Sequence, residues 1–477
     1  MIRTRFAPSP TGYMHVGGMR TALFAWLLAR QAGGQFILRI EDTDKAREVR
    51  GAKEHLIKSL KALGLNYDEG PDNNGPYGPY VQSQRLNIYK TWAQKLIEQG
   101  RAYADPYSEK DVQLFREQAK SQKKPFLYRD NRPAKTSTWD GSQPLRFKSD
   151  PKNYNFSDAV MGEISTGPEV IDDFVLIKSD GFPTYNFAHI IDDFEMKITH
   201  ILRGQEFLAS IPNYLNLYEA LAINPPIIAT LPPVLGPDGK KKLSKRDGAK
   251  DVLDYIKLGY LEEALISFMA TLGWNDGSTK EIFSRNELID SFSLDRIGRS
   301  GAKFDDKRLN WLNGHVIRSM TLEELFVKSK DFWPEEAKSY SPDYLKQVLG
   351  LLQERLKYLA EIKNVSRLFL VDLPINPQLI SEHKQLSKLS SQELIAILKQ
   401  AKQSLKDSDF TVDDLNNHLN KLLDEINQKP IILFSLIRIA TTQAPFSPGL
   451  SDSLSVIGKE KSLERIDAQI NYLQKNN

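Results

Sequence analysis

The sequence predicts an α/β protein whose doubly wound, largely parallel sheet is interrupted by a mixed α/β insertion and followed by an α-helical C-terminal region. Three observations carry this expectation. A strand, a Pro/Gly loop and a buried helix follow one another within the first 34 residues. Short apolar segments then alternate with helical ones, pause over a Pro-, Arg- and Lys-rich stretch, and resume near residue 179. Beyond Gly314 the apolar spacing is helical almost throughout.

Composition narrows the classes of function. A chain of 477 residues exceeds one compact core and implies several domains. No apolar run reaches the ~18 residues that would span a bilayer, and the first residues, with Arg3, Arg5, Pro8 and Pro10, lack a signal-peptide core. Zero cysteines exclude disulfides and thiolate metal sites and suit the cytoplasm. With 64 Lys and Arg against 61 Asp and Glu, the net charge is only +3. Any nucleic-acid contact must therefore come from local clusters.

The elements follow in order. Ile2 to Ala7 alternates as a strand, and Met19 to Ala32, with Leu23, Phe24, Leu27 and Leu28, reads as a buried helix stopped by Gly33 and Gly34. Between them Pro8 to Gly18 (PSPTGYMHVGG) would aim unpaired backbone N–H groups and a positive helix end at one point, which suits phosphate. His15 adds a side-chain donor, and Gly17 and Gly18 permit close approach. Taken alone, a tight turn with a surface histidine explains the same residues.

Gln35 to Ile40 is a second strand and runs into Arg39, Glu41, Asp42 and Asp44. Ligands of open α/β sheets sit beyond the carboxyl ends of the strands. Glu41 would hold an ammonium group and Arg5 a carboxylate, as an amino acid ligand requires; a structural ion pair is the competing account. A helix over Gly51 to Gly64, a strand over Leu65 to Gly70, a loop to Tyr80 and a helix over Gln84 to Gln99 complete the first half-sheet.

In the insertion, Tyr107 to Gln122 reads as a charged helix, and Val160 to Ile177 as short strands. Arg129, Arg132, Lys135, Arg146 and Lys148, with Tyr128, Trp139 and Phe147, would grip a nucleic-acid backbone and stack on an unpaired end. A solvated, loop-rich module fits them equally. After it, Tyr185, His189, Asp192 and Asp193 open a helix, and His200 to Glu206 ends an apolar strand with Arg203 at the rim. Leu231 to Lys250 (LPPVLGPDGKKKLSKRDGAK) is a basic loop in which Lys242 and Lys245 flank Ser244, able to close on a triphosphate. A basic surface loop is the alternative. Val252 to Leu272 reads as one helix, and Phe304 to Gly314 as another with a glycine stop. Thr321 with Glu324 and Ser390 with Glu393 are capping boxes. Ser341 and Pro342 start a helix whose stripe runs from Leu345 to Leu359, and Lys388 to Lys406, Thr411 to Ile426 and Lys429 to Thr442 add more.

In this order the segments RFAPSPTGYMHVGG, FILRIEDTD, GPYGPYVQSQR, KSDGFPTYNFAHIIDD, ILRGQEFL, KKLSKR and FDDKRLNWLNG resemble class I aminoacyl-tRNA synthetases, most closely the bacterial glutamyl-tRNA synthetases. The resemblance implies a Rossmann-type catalytic domain over 1–105 and 179–232, an acceptor-stem-binding insertion over 106–178, a stem-contact domain over 233–320 and a helical anticodon-binding domain over 321–477. It implies activation of glutamate by ATP with Mg²⁺ and transfer to tRNA-Glu, with tRNA-Gln left open as a second substrate. Pro8 to Gly18 matches the HIGH motif and Lys242 to Arg246 the KMSKS motif. His15, Lys242 and Lys245 would be catalytic. Gly17, Gly18, Glu206, Leu235 and Ser244 would join His15 and Lys245 on ATP. Arg5, Ala7, Ser9, Glu41, Tyr185 and Arg203 would hold glutamate. A cytoplasmic monomer without zinc is expected. His189 stands where Asn is frequent, Gln205 where an acid is, and Arg246 where the motif ends in Ser.

Overall fold

The computed structural model describes residues 1–243 and 251–476. They form two compact units, Met1–Ile256 with Glu262–Leu309, and Lys257–Leu261 with Asn310–Asn477. No helix among the described residues is long and apolar enough to cross a membrane.

In the first unit β1 (Arg3–Phe6) leads into α1 (Val16–Gln31) and β2 (Gln35–Leu38). Helix α1 starts three residues before the expected Met19, because His15, in extended backbone, caps it and its Nδ1 accepts the Gly17 N–H at 3.1 Å. Leu23, Phe24 and Leu27 on α1 are fully buried, and Gly33 at φ +58° ends the turn that follows. α2 (Ala52–Ala62) and α3 (Leu86–Glu98) come next. The expected strand at Leu65–Gly70 is reduced to an isolated bridge between Ile37 and Glu69. There the Asp68 carboxylate accepts the Phe36 N–H at 2.7 Å, where a paired strand would present a carbonyl.

The insertion contains β3 (Ala102–Ala104), α4 (Glu109–Ser121), β4 (Leu145–Phe147), β5 (Tyr154–Asp158), β6 (Gly162–Thr166) and β7 (Val175–Ile177). β4 lies between β3 and β7 in an antiparallel sheet, and β5 and β6 form a hairpin. The chain then returns through α5 (Tyr185–Glu195), β8 (His200–Gly204), α6 (Ile211–Ala220) and β9 (Ile227–Leu231). The main sheet has the order β2-β1-β8-β9 and is parallel throughout, so the loops after its strands open at one edge. Trp92, Leu96, Phe147, Phe187, Ile190 and Leu217 share a core that knits α3, the insertion sheet, α5 and α6 together.

β10 (Val234–Leu235) precedes α7 (Val252–Lys257), α8 (Glu262–Ala270) and α9 (Arg285–Ser291) and pairs in parallel with β11 (Ala302–Lys303). The single helix expected over Val252 to Leu272 is thus two, parted at Gly259, whose φ of +79° no helix interior accommodates. α10 (Asp306–Ser319) runs through Gly314 instead of stopping there. The missing side chain makes room for the Leu356 carbonyl, which lies 3.0 Å from where a Cβ would stand.

The second unit is helical. Its helices include Pro342–Gln353, Ser391–Asp407, Val412–Ile426, Pro430–Thr442, Leu450–Ile457 and Lys459–Lys475. Both expected capping boxes are present, and Ser341 caps Tyr344. Leu398, Leu405, Leu415, Leu433, Leu436 and Ile466 meet in one core.

Candidate functional site

Residues that follow β1, β2 and β8 build two clefts in the first unit, as the parallel topology requires. The smaller, about 170 Å³, is lined by His15, Gly17, Gly18, Arg20, Thr21, Glu206 and Lys242. It thus joins the start of α1 to the first residue of the KLSKR segment. Lys242 Nζ lies 2.8 Å from Glu206 Oε1. Burial alone would raise the Glu206 pKa, but hydrogen bonds, foremost that from Lys242, bring it below the usual carboxylate value. The expected free amides are engaged: Gly17 N–H donates to His15 Nδ1, and the Gly18 and Met19 N–H groups donate to the His15 carbonyl, each at 3.1 Å. A ligand would meet the helix end through the His15 ring. Leu235 does not line this cleft; its backbone bridges to Lys242 and its side chain fills the space beside Gly301. Ser244, Lys245 and Arg246 lie outside the described residues.

The larger cleft, about 640 Å³, is lined by Ser9, Thr11, Glu41, Thr43, Tyr185 and Phe207, with Asp44, Arg47 and Lys178 also on its wall. Glu206 lines the first cleft and its neighbour Phe207 the second. Glu41 is only 3% exposed; Oε1 accepts from Arg39 Nη2 at 2.8 Å, while buried Oε2 has no hydrogen-bond partner. Burial raises the Glu41 pKa above 4.5, with Arg39 and Arg5 opposing. Behind the wall, Asp193 accepts from Arg39 at 2.7 Å and from Arg5 at 3.1 Å. These two guanidiniums outweigh its burial and hold it well below the usual range.

Arg203 donates to the Tyr185 hydroxyl at 2.5 Å and lies 4.4 Å from the Phe207 ring centre; its buried Nε has no partner. Tyr185 therefore stands in the wall with Arg203 directly behind it. Arg5 is buried on Asp193 and on the Leu202 carbonyl, and Ala7 is half-buried after β1; neither lines the cleft. His189 is also set back. Its Nδ1 meets the Tyr185 carbonyl at 2.7 Å, and its ring stacks on Tyr185 with centroids 4.7 Å apart. Burial first, and Arg203 second, keep this imidazole neutral. Gln205 is exposed at the turn after β8.

Sequence reasoning missed Arg20 and Thr21 in the first cleft and Arg47 in the second, each within six residues of a position already singled out; Thr11, Thr43, Asp44, Lys178 and Phe207 lie inside the motif segments but were given no role on a ligand. Arg20 is buried, donates to the Leu272 carbonyl at 3.0 Å and to that of Pro232, and burial lowers its pKa to about 10.

Most of the basic cluster in the insertion is structural. Arg132 pairs with Asp173 at 2.6 Å and Arg146 with Asp105 at 2.7 Å, Arg129 donates to the Pro168 and Ile171 carbonyls, and Tyr128 and Phe147 are buried. Lys135 and Lys148 are exposed, and Trp139 is half-exposed.

A helix start capped by a histidine and facing a lysine, on a parallel sheet followed by a helical C-terminal unit, is the arrangement expected of a class I tRNA synthetase. In agreement, residues 1–311 match the family of class I tRNA synthetases (E and Q), catalytic domain, and residues 322–470 match an anticodon binding domain. The chain is 39% identical to glutamate–tRNA ligases of Dehalococcoides mccartyi (98% of this chain, 96% of that one) and Clostridium botulinum (99% of each). A crystal structure of a glutamate tRNA ligase from Elizabethkingia meningosepticum, in complex with its amino acid, superposes with a TM-score of 0.88 at 31% identity over 99% of both chains. The chain belongs to the glutamate–tRNA ligase family of class I synthetases.

Proposed function

We propose that this chain activates L-glutamate with ATP and transfers it to the 3′-terminal adenosine of tRNA-Glu. The observation that carries the reading is Glu41: a buried carboxylate with one oxygen lacking a hydrogen-bond partner, on the same cleft wall as Ser9 and Tyr185 and with Arg203 behind. Such a wall takes an ammonium at Glu41. It turns the positive charge of Arg203, relayed through the Tyr185 hydroxyl, toward a carboxylate. Arg5 and Ala7, set at the end of β1, complete the glutamate pocket from behind.

ATP would occupy the neighbouring cleft, with its phosphates toward His15, Gly17 and Gly18 and its nucleoside toward Glu206; Leu235, outside the cleft lining, supports it only through its backbone bridge to Lys242. The glutamate α-carboxylate attacks the α-phosphorus, and pyrophosphate leaves. Lys242 and Lys245, which flank Ser244 in the sequence, stabilise the charge that develops on it. Mg²⁺ accompanies the triphosphate; among the described residues no group of three His, Asp or Glu side chains is placed to hold a metal by itself. The tRNA hydroxyl then attacks the adenylate carbonyl and releases AMP. The acceptor end is read by the insertion at 106–178, the stem by 233–320 and the anticodon by 321–477, in a cytoplasmic monomer.

The test is charging of radiolabelled glutamate onto purified tRNA-Glu and tRNA-Gln, with and without ATP. ATP-dependent glutamylation of tRNA-Glu is the expected outcome. Charging of tRNA-Gln as well identifies a non-discriminating enzyme, and charging of neither overturns the reading.

A further inference from the structure

We infer that His55, on α2 and outside both clefts, is a positioning residue for the ATP-dependent step. The inference rests on reading the cleft between His15 and Lys242 as the ATP site.

Asp251 is a three-way junction. Its backbone forms an antiparallel bridge with His15, the residue that caps α1 and lines that cleft. Its Oδ1 accepts the Leu253 N–H at 2.8 Å and so caps the start of α7. Its buried Oδ2 lies 2.8 Å from His55 Nε2, a close polar contact without the angles of a hydrogen bond, and has no other partner among the described residues. The His55 ring is covered in turn by Tyr13, two residues before His15, stacked with centroids 4.5 Å apart and planes 29° from parallel. One imidazole therefore touches the loop before α1 through Tyr13 and, through Asp251, the strand pairing that fixes His15.

Helix α2 is a firm base for this contact, because Leu56 and Leu60 beside His55 are buried and the buried Ser59, on the same face, donates to the His55 carbonyl at 2.8 Å. The His55 and Asp251 side chains are 17% and 12% exposed. A part-exposed pair of this kind adds little to global stability, but it fixes the distance between α2 and the His15 backbone. A displacement of the His15 ring by a fraction of an ångström would misalign it for phosphate while leaving the glutamate wall at Glu41 and Tyr185 in place.

The experiment is ATP–pyrophosphate exchange by the full chain, with glutamate and tRNA-Glu present, reading KM separately for ATP and for glutamate. His55→Ala is expected to raise KM for ATP about tenfold with KM for glutamate unchanged. Asp251→Asn, which retains the oxygen that caps α7, gives the same shift, and the double variant is no worse than either single one. His55→Arg, which returns a nitrogen to the side of Asp251 Oδ2, recovers most of the loss. An unaltered KM for ATP in both single variants, equal rises for both substrates, or additive losses in the double variant overturn the inference. If His55→Ala does not fold, Asp251→Asn and His55→Arg decide it by the same constants. A wild-type chain without exchange activity overturns the functional reading itself, whereas an active wild type with unaffected variants overturns only the role of His55.

Discussion

On the proposed reading Glu41 would attract an ammonium group only while it is ionised, and its burial makes that ionisation harder. Its pKa lies above 4.5 because burial outweighs the help of Arg39 and Arg5. As pH falls through this raised value the carboxylate takes up a proton and the attraction is lost. KM for glutamate should therefore climb on acidification from a pH higher than an ordinary glutamate would show, as measured by exchange assays across pH with KM for ATP as the internal control. The sign for stability is opposite. A carboxyl whose folded pKa is raised destabilises the fold when ionised, and that cost begins to fall as pH drops through the folded value and is gone below the unfolded one. Glu41→Gln should then weaken glutamate binding by roughly thirtyfold or more, on the order of the ~2–5 kcal/mol that truncating a buried charged partner costs. Its Tm should be unchanged or higher, and a clear drop would show that the carboxylate serves the fold first.

At the scale of elements, two consecutive acids anchor α5, Asp193 to the sheet and Asp192 to α3 and the residues before it. Asp193 receives Arg5 of β1 and Arg39 beyond β2, while Asp192 receives Arg85 at 2.7 Å, Gln82 at 2.8 Å and the Tyr89 hydroxyl. Asp193→Asn would leave two buried guanidiniums short of one charge, so we expect a loss of about 3–5 kcal/mol in denaturant unfolding. Loss of activity without loss of stability would instead mean that Asp193 acts on the substrate. This network also marks how far the sequence could be read. Helix α1 and the boxes at Thr321 and Ser390 were legible because apolar spacing and caps act within a few residues. Arg39 and Asp193 are 154 positions apart, and no local pattern announces their contact. The same blindness made Arg132 and Arg146 look like RNA-gripping residues, since their acid partners, Asp173 and Asp105, stand 41 positions away. The missing strand at Leu65–Gly70 and the break at Gly259 have a kindred cause: Asp68 takes a strand's hydrogen bond, and a positive φ ends a helix that apolar spacing alone would continue.

For the whole molecule the question is how a chain of net charge +3 holds a polyanion. Within the second unit, Arg438 of the helix Pro430–Thr442 has its pKa lowered by burial and by the nearby charge of Arg355. Arg438 donates to the Ser447 hydroxyl at 2.9 Å, and the neighbouring Phe446 is 80% exposed. Two mutually repelling guanidiniums, one of them bonded to the residue after an exposed phenylalanine, are costly for the protein alone and well suited to unstacked bases and their phosphates. Arg438→Ala should therefore raise KM for tRNA several-fold, while KM for ATP and for glutamate stay put; a change in all three would point to damage to the helical core instead. Its tRNA binding should also depend less steeply on salt, because each phosphate contact that is removed takes about one counterion with it. If tRNA-Gln is also charged, comparing both tRNAs in this variant separates the two kinds of contact. Equal losses mean that Arg438 holds the backbone, and unequal losses mean that it reads a base.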